Sequence, residues 1–190
     1  MNLLLIISIT FSSVSLIYTT KYYCDSSAPC GCSKASVVTS RIVGGEMASD
    51  HTWGWMVSLQ RSGRHACGAS LISPSYAITA AHCVDDYINK LSVLSILAGT
   101  NYLNDTSGEN VQRRTVTKAT IHPYFNALFV TDDIAIIKFD PLTISPSSTI
   151  AFICLPDQDE DPFQVNSNVV TTGWGYLAEN IKVASTSLRQ

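Results

Sequence analysis

From Ile42 onward the chain is a succession of short apolar, β-branched runs separated by polar breaks. The runs are WMVSLQ (55–60), ASLIS (69–73), YAITAA (76–81), LSVLSILAG (91–99), VQRRTVTKATI (111–121), DIAIIKF (133–139) and NVVTTGWG (168–175). Val, Ile, Thr and aromatic residues fit a pleated surface, and the Gly, Pro, Ser, Asn and Asp clusters between the runs are turn formers. No long stretch holds a helical period, although AAHCVDDYI (80–88) allows a short helical turn. Many short strands at fairly regular spacing predict an all-β closed barrel or sandwich.

The first 41 residues read differently. Residues 1–17, MNLLLIISITFSSVSLI, carry no charged side chain and centre on an apolar stretch from Leu3 to Ile9. This pattern predicts a secretory signal peptide over residues 1–20, with a retained signal anchor as the rival reading. Residues 21–41 are dense in Cys and Ser, include Pro29 and Gly31, and lack a period that could build a core. They are expected to form a pro-segment or linker, leaving 42–190 as one folded domain.

Composition narrows the class. With 46% hydrophobic and 14% charged residues over 190 positions, the chain can bury a core. A net charge of −3 argues against a phosphate-backbone partner, which needs clustered Lys and Arg. Six cysteines stand at 24, 30, 32, 67, 83 and 154, and export to an oxidising compartment would pair them. The triplet NDT places an N-glycosylation acceptor at Asn104.

Three stretches carry candidate chemistry. In RIVGG (41–45), cleavage after Arg41 would free the amino group of Ile42, and the two glycines would let the new terminus move; an ordinary strand start is the plain alternative. In CGASLISPSYAITAAHC, a Cys67–Cys83 bridge would close a hairpin and fix His82 at the end of its second strand, contributing about 3 kcal/mol on a chain-entropy account. In TDDIAIIKF, Asp133 abuts an apolar run, where an acid needs a hydrogen-bond donor. An imidazole N–H would serve, leaving the other ring nitrogen as a base; Asp132 is the alternative acid. His65, Cys67, His82 and Cys83 also include zinc-ligand types, but their spacing fits no known finger. No metal or other cofactor is expected.

RIVGG, CGASLI…TAAHC, DIAIIKF, CLP (154–156) and VTTGWG (170–175) occur in the order and approximate spacing of the chymotrypsin-like, or trypsin-like, serine endopeptidases, and the chain resembles that family from Arg41 to about Gly175. The resemblance implies a Greek-key barrel, complete, followed by a second barrel present only in part. It implies His82 as general base and acid, Asp133 as the buried acid orienting it, and Arg41–Ile42 as a zymogen activation site. The family's nucleophile lies in a GDSGG segment after GWG, which these 190 residues do not contain. Ser70, Ser185 and Ser187 lack the setting of a nucleophile. Cys154 resembles the cysteine that ties a catalytic domain to its pro-segment, with Cys24, Cys30 or Cys32 as partner. Val169 stands where many relatives carry a cysteine, His122 matches a landmark without catalytic duty, and Trp174 suits packing. The expectation is a secreted, extracellular zymogen acting on protein or peptide substrates, with an activating protease and protease inhibitors as partners and neither nucleic acid nor membrane. The rival expectation is an inactive or truncated homologue that binds a partner.

Overall fold

The computed structural model describes residues 20–22, 28–32, 37–39, 46–105, 107–145, 147–160, 165, 169–178 and 181–190. The expected signal peptide, Cys24 and the Arg41–Ile42 bond lie outside these residues, apart from Thr20.

The described residues form ten strands: β1 (Thr20–Tyr22), β2 (Val37–Thr39), β3 (Met56–Arg61), β4 (Arg64–Ser73), β5 (Tyr76–Thr79), β6 (Leu94–Ala98), β7 (Gln112–Ile121), β8 (Ala135–Phe139), β9 (Tyr176–Ala178) and β10 (Ile181–Ala184). Six close into a barrel in the order β3-β4-β5-β8-β7-β6, every pair antiparallel. The return of β6 to lie beside β3 makes a Greek key, and closure leaves the barrel without a free edge. β1 pairs with β2, and β9 with β10. The expected fold, one complete barrel and a fragment of a second, is what forms.

The barrel interior is filled by Val57, Leu59, Leu71, Ala77, Leu94, Ile96, Val116, Ala135, Ile137 and Phe139. β8 illustrates the selection. Its sequence is apolar on both faces except for Lys138, yet Ala135, Ile137 and Phe139 are buried while Ile134 and Ile136 stand exposed on the outer side. β3 buries both faces, and its outward Gln60 accepts a hydrogen bond from Arg113 on β7.

One predicted run does not become a strand. Among the described residues of NVVTTGWG only Gly173 pairs, as an isolated bridge to Arg189. A β-prone run needs a hydrogen-bonding neighbour along its length, and here the neighbour is one residue wide. Gly173 and Arg189 exchange bonds of 3.1 and 2.9 Å, and Ser185 donates to the Gly175 carbonyl. The same 185–190 segment reaches Glu46, Ala48, Asn101 and Leu103, forming a strap across the barrel's outer face. Beneath it Trp174, Leu188, Met56 and Ala48 make a second, smaller core.

Turn geometry fixes β6. Gly99 has φ of 81°, and a Cβ there would sit 2.0 Å from the Asn110 carbonyl oxygen, so only glycine fits the close approach to the lead-in of β7.

Core and outer-face residues of β8 should respond differently to truncation. Phe139→Ala, at a site 1% exposed, is expected to cost about 3–5 kcal/mol. Ile136→Ala, at a site 42% exposed, should cost less than about 1 kcal/mol. Equal shifts of the two urea midpoints would show that the outer face of β8 is covered in solution.

Candidate active site

The site is assembled by the pairing of β5 with β8. Thr79, the last residue of β5, is opposite Ala135, the first of β8, and its hydroxyl also donates to the Gly68 carbonyl on β4 at 2.9 Å. Beyond Thr79 the chain turns into a 3₁₀ segment, Ala81–Cys83. Ala81 is fully buried and anchors that turn. Three residues past the Thr79–Ala135 pair on one strand stands His82, and two residues before it on the other stands Asp133.

The barrel therefore brings together two side chains 51 positions apart. His82 Nδ1 lies 2.6 Å from Asp133 Oδ2, and the His82 backbone N–H donates to Oδ1 at 2.9 Å. A carboxylate accepts only, so Nδ1 carries the proton toward Asp133 and Nε2 is left with a lone pair. The backbone N–H of His82, followed by its ring N–H, holds the Asp133 carboxyl below its ordinary value of 3.8. Such an imidazole is fixed in tautomer and rotation and presents Nε2 as a proton acceptor.

Burial at this pair differs from expectation. Asp133 was expected as a buried acid opening an apolar strand, but its side chain is 19% exposed and the strand begins at Ala135. His82 is 59% exposed. Ile134, just before β8, and Ile136 on its outer face are also partly open to solvent, as is the rim where the pair sits. Two hydrogen bonds rather than exclusion of water keep the acid ionised.

The segment before Asp133 is strained. Val130 and Asp132 have φ of 51° and 52°, a region that costs a non-glycine residue on the order of 1–3 kcal/mol and is most unusual for a β-branched one. An antiparallel bridge between Asn126 and Thr131 holds the loop in place. Asp132 is turned away: its Oδ1 is 3.7 Å from His122 Nδ1. The two adjacent acids thus face different histidines.

The other candidate residues fall as follows. Cys67 and Cys83 form a disulfide, with the Cα atoms 6.3 Å apart. Cys30 bridges Cys154, and Cys32 is also disulfide-bonded. Asn104 is exposed in a turn. Ser70 donates to Met56 Sδ, and Ser185 to the Ser187 carbonyl at 2.6 Å; neither they nor Ser187 hydrogen-bonds His82. Trp174 is buried, its indole N–H bonded to the Asn101 carbonyl. His51 lies in a turn with φ of 65°, and Val169 is exposed.

One arrangement escaped the sequence. His65, grouped there with zinc-ligand types, has its Nδ1 2.8 Å from Ser58 Oγ and its ring edge-on to Trp174. Burial lowers its pKa below the ordinary 6.5. Ser58 lies in the middle of β3 among apolar residues and carries no signal by itself.

A closed Greek-key barrel with a carboxylate-bound imidazole on its rim is the architecture of a serine protease's N-terminal half. Comparison with known proteins agrees. The trypsin family profile matches residues 42–190. The chain is 42% identical over 145 residues to the Suppressor of tumorigenicity 14 protein homolog of Bos taurus, covering 74% of this chain and 17% of that protein. It is 37% identical over 154 residues to Transmembrane protease serine 11G of Rattus norvegicus (80% and 34%) and 34% identical over 152 residues to Chymotrypsin-C of Bos taurus (78% and 54%). The chain spans from about a sixth to about half of the length of these relatives. It belongs to the trypsin family of chymotrypsin-like serine proteases.

The Asp133 contact should register in acid. A folded-state carboxyl held below 3.8 contributes stability that is fully present above that value and is lost as pH falls through the lowered one. The urea midpoint of the parent chain should exceed that of Asp133→Asn near neutrality, and the gap should close on acidification below about pH 4. A gap that persists at the lowest pH would show that the ionised carboxylate is not its source.

Proposed function

We propose that the chain is part of a secreted serine endopeptidase zymogen, in which His82 is the general base and acid and Asp133 the residue that orients it. The observation that carries this reading is the double contact of Asp133 with the ring and backbone N–H of His82. In the reaction, Nε2 takes the proton of a serine hydroxyl as it attacks the peptide carbonyl. It then returns that proton to the leaving amine, and water resolves the acyl-enzyme by the same route. Asp133 keeps Nδ1 protonated throughout and stabilises the imidazolium. The nucleophile is proposed to lie outside these 190 residues, since no serine among the described residues contacts Nε2. Protein or peptide chains are the substrates, consistent with the protease family.

Activation is proposed to occur by cleavage after Arg41. Glu46 supports this: it exchanges two backbone bonds of 3.0 Å with Gln190, so a new terminus at Ile42 would extend from a fixed anchor a few residues away. The freed ammonium needs a buried carboxylate partner, because an unpaired buried charge costs several kcal/mol. The pro-segment is proposed to stay attached after cleavage. The Cys30–Cys154 bridge favours this, as does the Gly31 N–H, which donates to the Phe152 carbonyl at 2.7 Å. Glycosylation at Asn104 fits the residue's exposure.

Two measurements test the reading. Trypsin-type cleavage of the 190-residue chain should expose Ile42 without producing ester turnover, and measurable turnover would place a working nucleophile among these residues. Extending the chain from its transcript to include a GDSGG-type segment should produce turnover. In that longer chain Asp133→Asn should lower kcat by the amount known for this class of triad, on the order of 10⁴-fold. An extended, cleaved chain with no turnover would favour a binding homologue.

The tether is tested separately. On non-reducing gels the cleaved parent should run as one covalent unit, and Cys154→Ser should lose the pro-segment peptide. Release of that peptide from the parent would refute the tether.

A further inference from the structure

The disulfide beside the imidazole has a second chemistry available to it. His82 Nε2, the nitrogen not engaged by Asp133, lies 3.4 Å from Cys83 Sγ. The ligand atoms of Cys67, His82 and Cys83 all lie within 4.8 Å of one another. As a disulfide the two sulfurs are bonded to each other and offer no thiolate. Once reduced they become two soft ligands next to a borderline one, which is a zinc donor set.

We propose that reduction of the Cys67–Cys83 bridge converts this corner of the barrel into a zinc site formed by Cys67 Sγ, Cys83 Sγ and His82 Nε2. In the reduction a dithiol supplies two electrons and two protons. The S–S bond breaks, both cysteines become thiols, and the dithiol becomes a disulfide. Zinc then displaces the two thiol protons, and two Zn–S bonds and one Zn–N bond form.

The backbone suits this exchange. Sulfurs on a tetrahedral zinc, with Zn–S of about 2.3 Å, stand roughly 3.8 Å apart. Cα atoms 6.3 Å apart permit that separation by side-chain rotation alone. Cys67 is held within β4, and Cys83 by the turn anchored on Ala81, so neither has to be recruited from a distance.

Asp133 supplies the outer shell. A zinc-ligating imidazole usually donates its other N–H to a carboxylate, which fixes the tautomer and raises the ligand's basicity. Nδ1 of His82 already makes that contact at 2.6 Å. With His82 59% exposed and Cys67 half-buried, the fourth position is open to water. A metal on Nε2 also removes the lone pair needed for general-base work. That consequence alone rests on the function proposed above.

The test uses the full chain with Cys24, Cys30, Cys32 and Cys154 replaced by serine, so that one bridge remains. It is reduced with a phosphine, separated from it without oxygen, and titrated with zinc or cobalt. The oxidised chain should take up no metal and the reduced chain one ion. Cobalt should give the spectrum of a tetrahedral centre with two thiolates. His82→Gln should change that spectrum and weaken binding, and Asp133→Asn should weaken it about 10–100-fold. No uptake after reduction would overturn the proposal. So would uptake of equal affinity in both variants, which is what thiols of an unfolded chain would give. These readouts need no hydrolysis, so the zinc site can fail while the protease reading stands, and the reverse.

Discussion

Everything at the candidate site depends on one carboxylate being held by two donors of one residue. Asp133 receives the ring N–H and the backbone N–H of His82. The first fixes the ring, and the second fixes the acid relative to the turn that carries the ring. A single side-chain bond would leave a long loop and a short turn free to rotate against each other. Two bonds to atoms of the same residue define a position and an orientation. The barrel makes this possible by registering β5 against β8, so that the ends of two strands far apart in the chain emerge side by side. Burial in the interior, at Ile137, Phe139, Leu71 and Ala77, is what makes that register unique, because a one-residue slip would turn β8 inside out.

Much of this was legible in the residues, and the exceptions have physical causes. Every barrel strand overlaps a predicted run, because β-branched residues bounded by turn formers give a local signal, although the first half of β4, Arg64–Gly68, lies outside any run. The side chains of β8 could not be divided into inner and outer faces, since AIIKF is apolar on both until Lys138. The choice of Asp133 over Asp132 rested on proximity to that run, and the structure separates the two by a left-handed residue at Asp132. The depth of Asp133 was not legible, because exposure depends on what lies over the outer face of β8. NVVTTGWG was misread as a strand because composition cannot report whether a neighbour exists to pair with. The Ser58–His65 pair was invisible for the opposite reason: both residues are unremarkable locally and meet only across the β3–β4 hairpin. Cys154 had three possible partners in sequence, and only coordinates could select Cys30.

The two disulfides with both partners among the described residues act at different levels. Cys67–Cys83 spans 16 positions inside the barrel and flanks the imidazole, so it constrains the site directly. Cys30–Cys154 spans 124 positions and fastens an otherwise coreless segment to the barrel's outside. The second restrains a segment whose described residues 28–32, Ala28, Pro29, Cys30, Gly31 and Cys32, are all small and bring no large apolar side chain to the contact. A covalent bond takes the place of a hydrophobic interface there. Gly31 sits at this bridge with φ of 74°, a conformation strained for other residues, and a Cβ there would lie a tight 3.0 Å from Cys154 Sγ.

The strain before Asp133 belongs to the same account. Left-handed conformations at Val130 and Asp132, one of them β-branched, would relax in an isolated loop, where nothing offsets their cost. They persist because the loop is pinned at both ends. Asn126 pairs with Thr131, and Asp133 is clamped by His82 immediately before β8 enters the barrel. Barrel packing and the carboxylate clamp thus support a backbone that turns Asp132 toward His122 and Asp133 toward His82. Relaxing either residue would rotate the adjacent peptide and move the carboxylate, so the site's geometry and the loop's strain are one property of the fold.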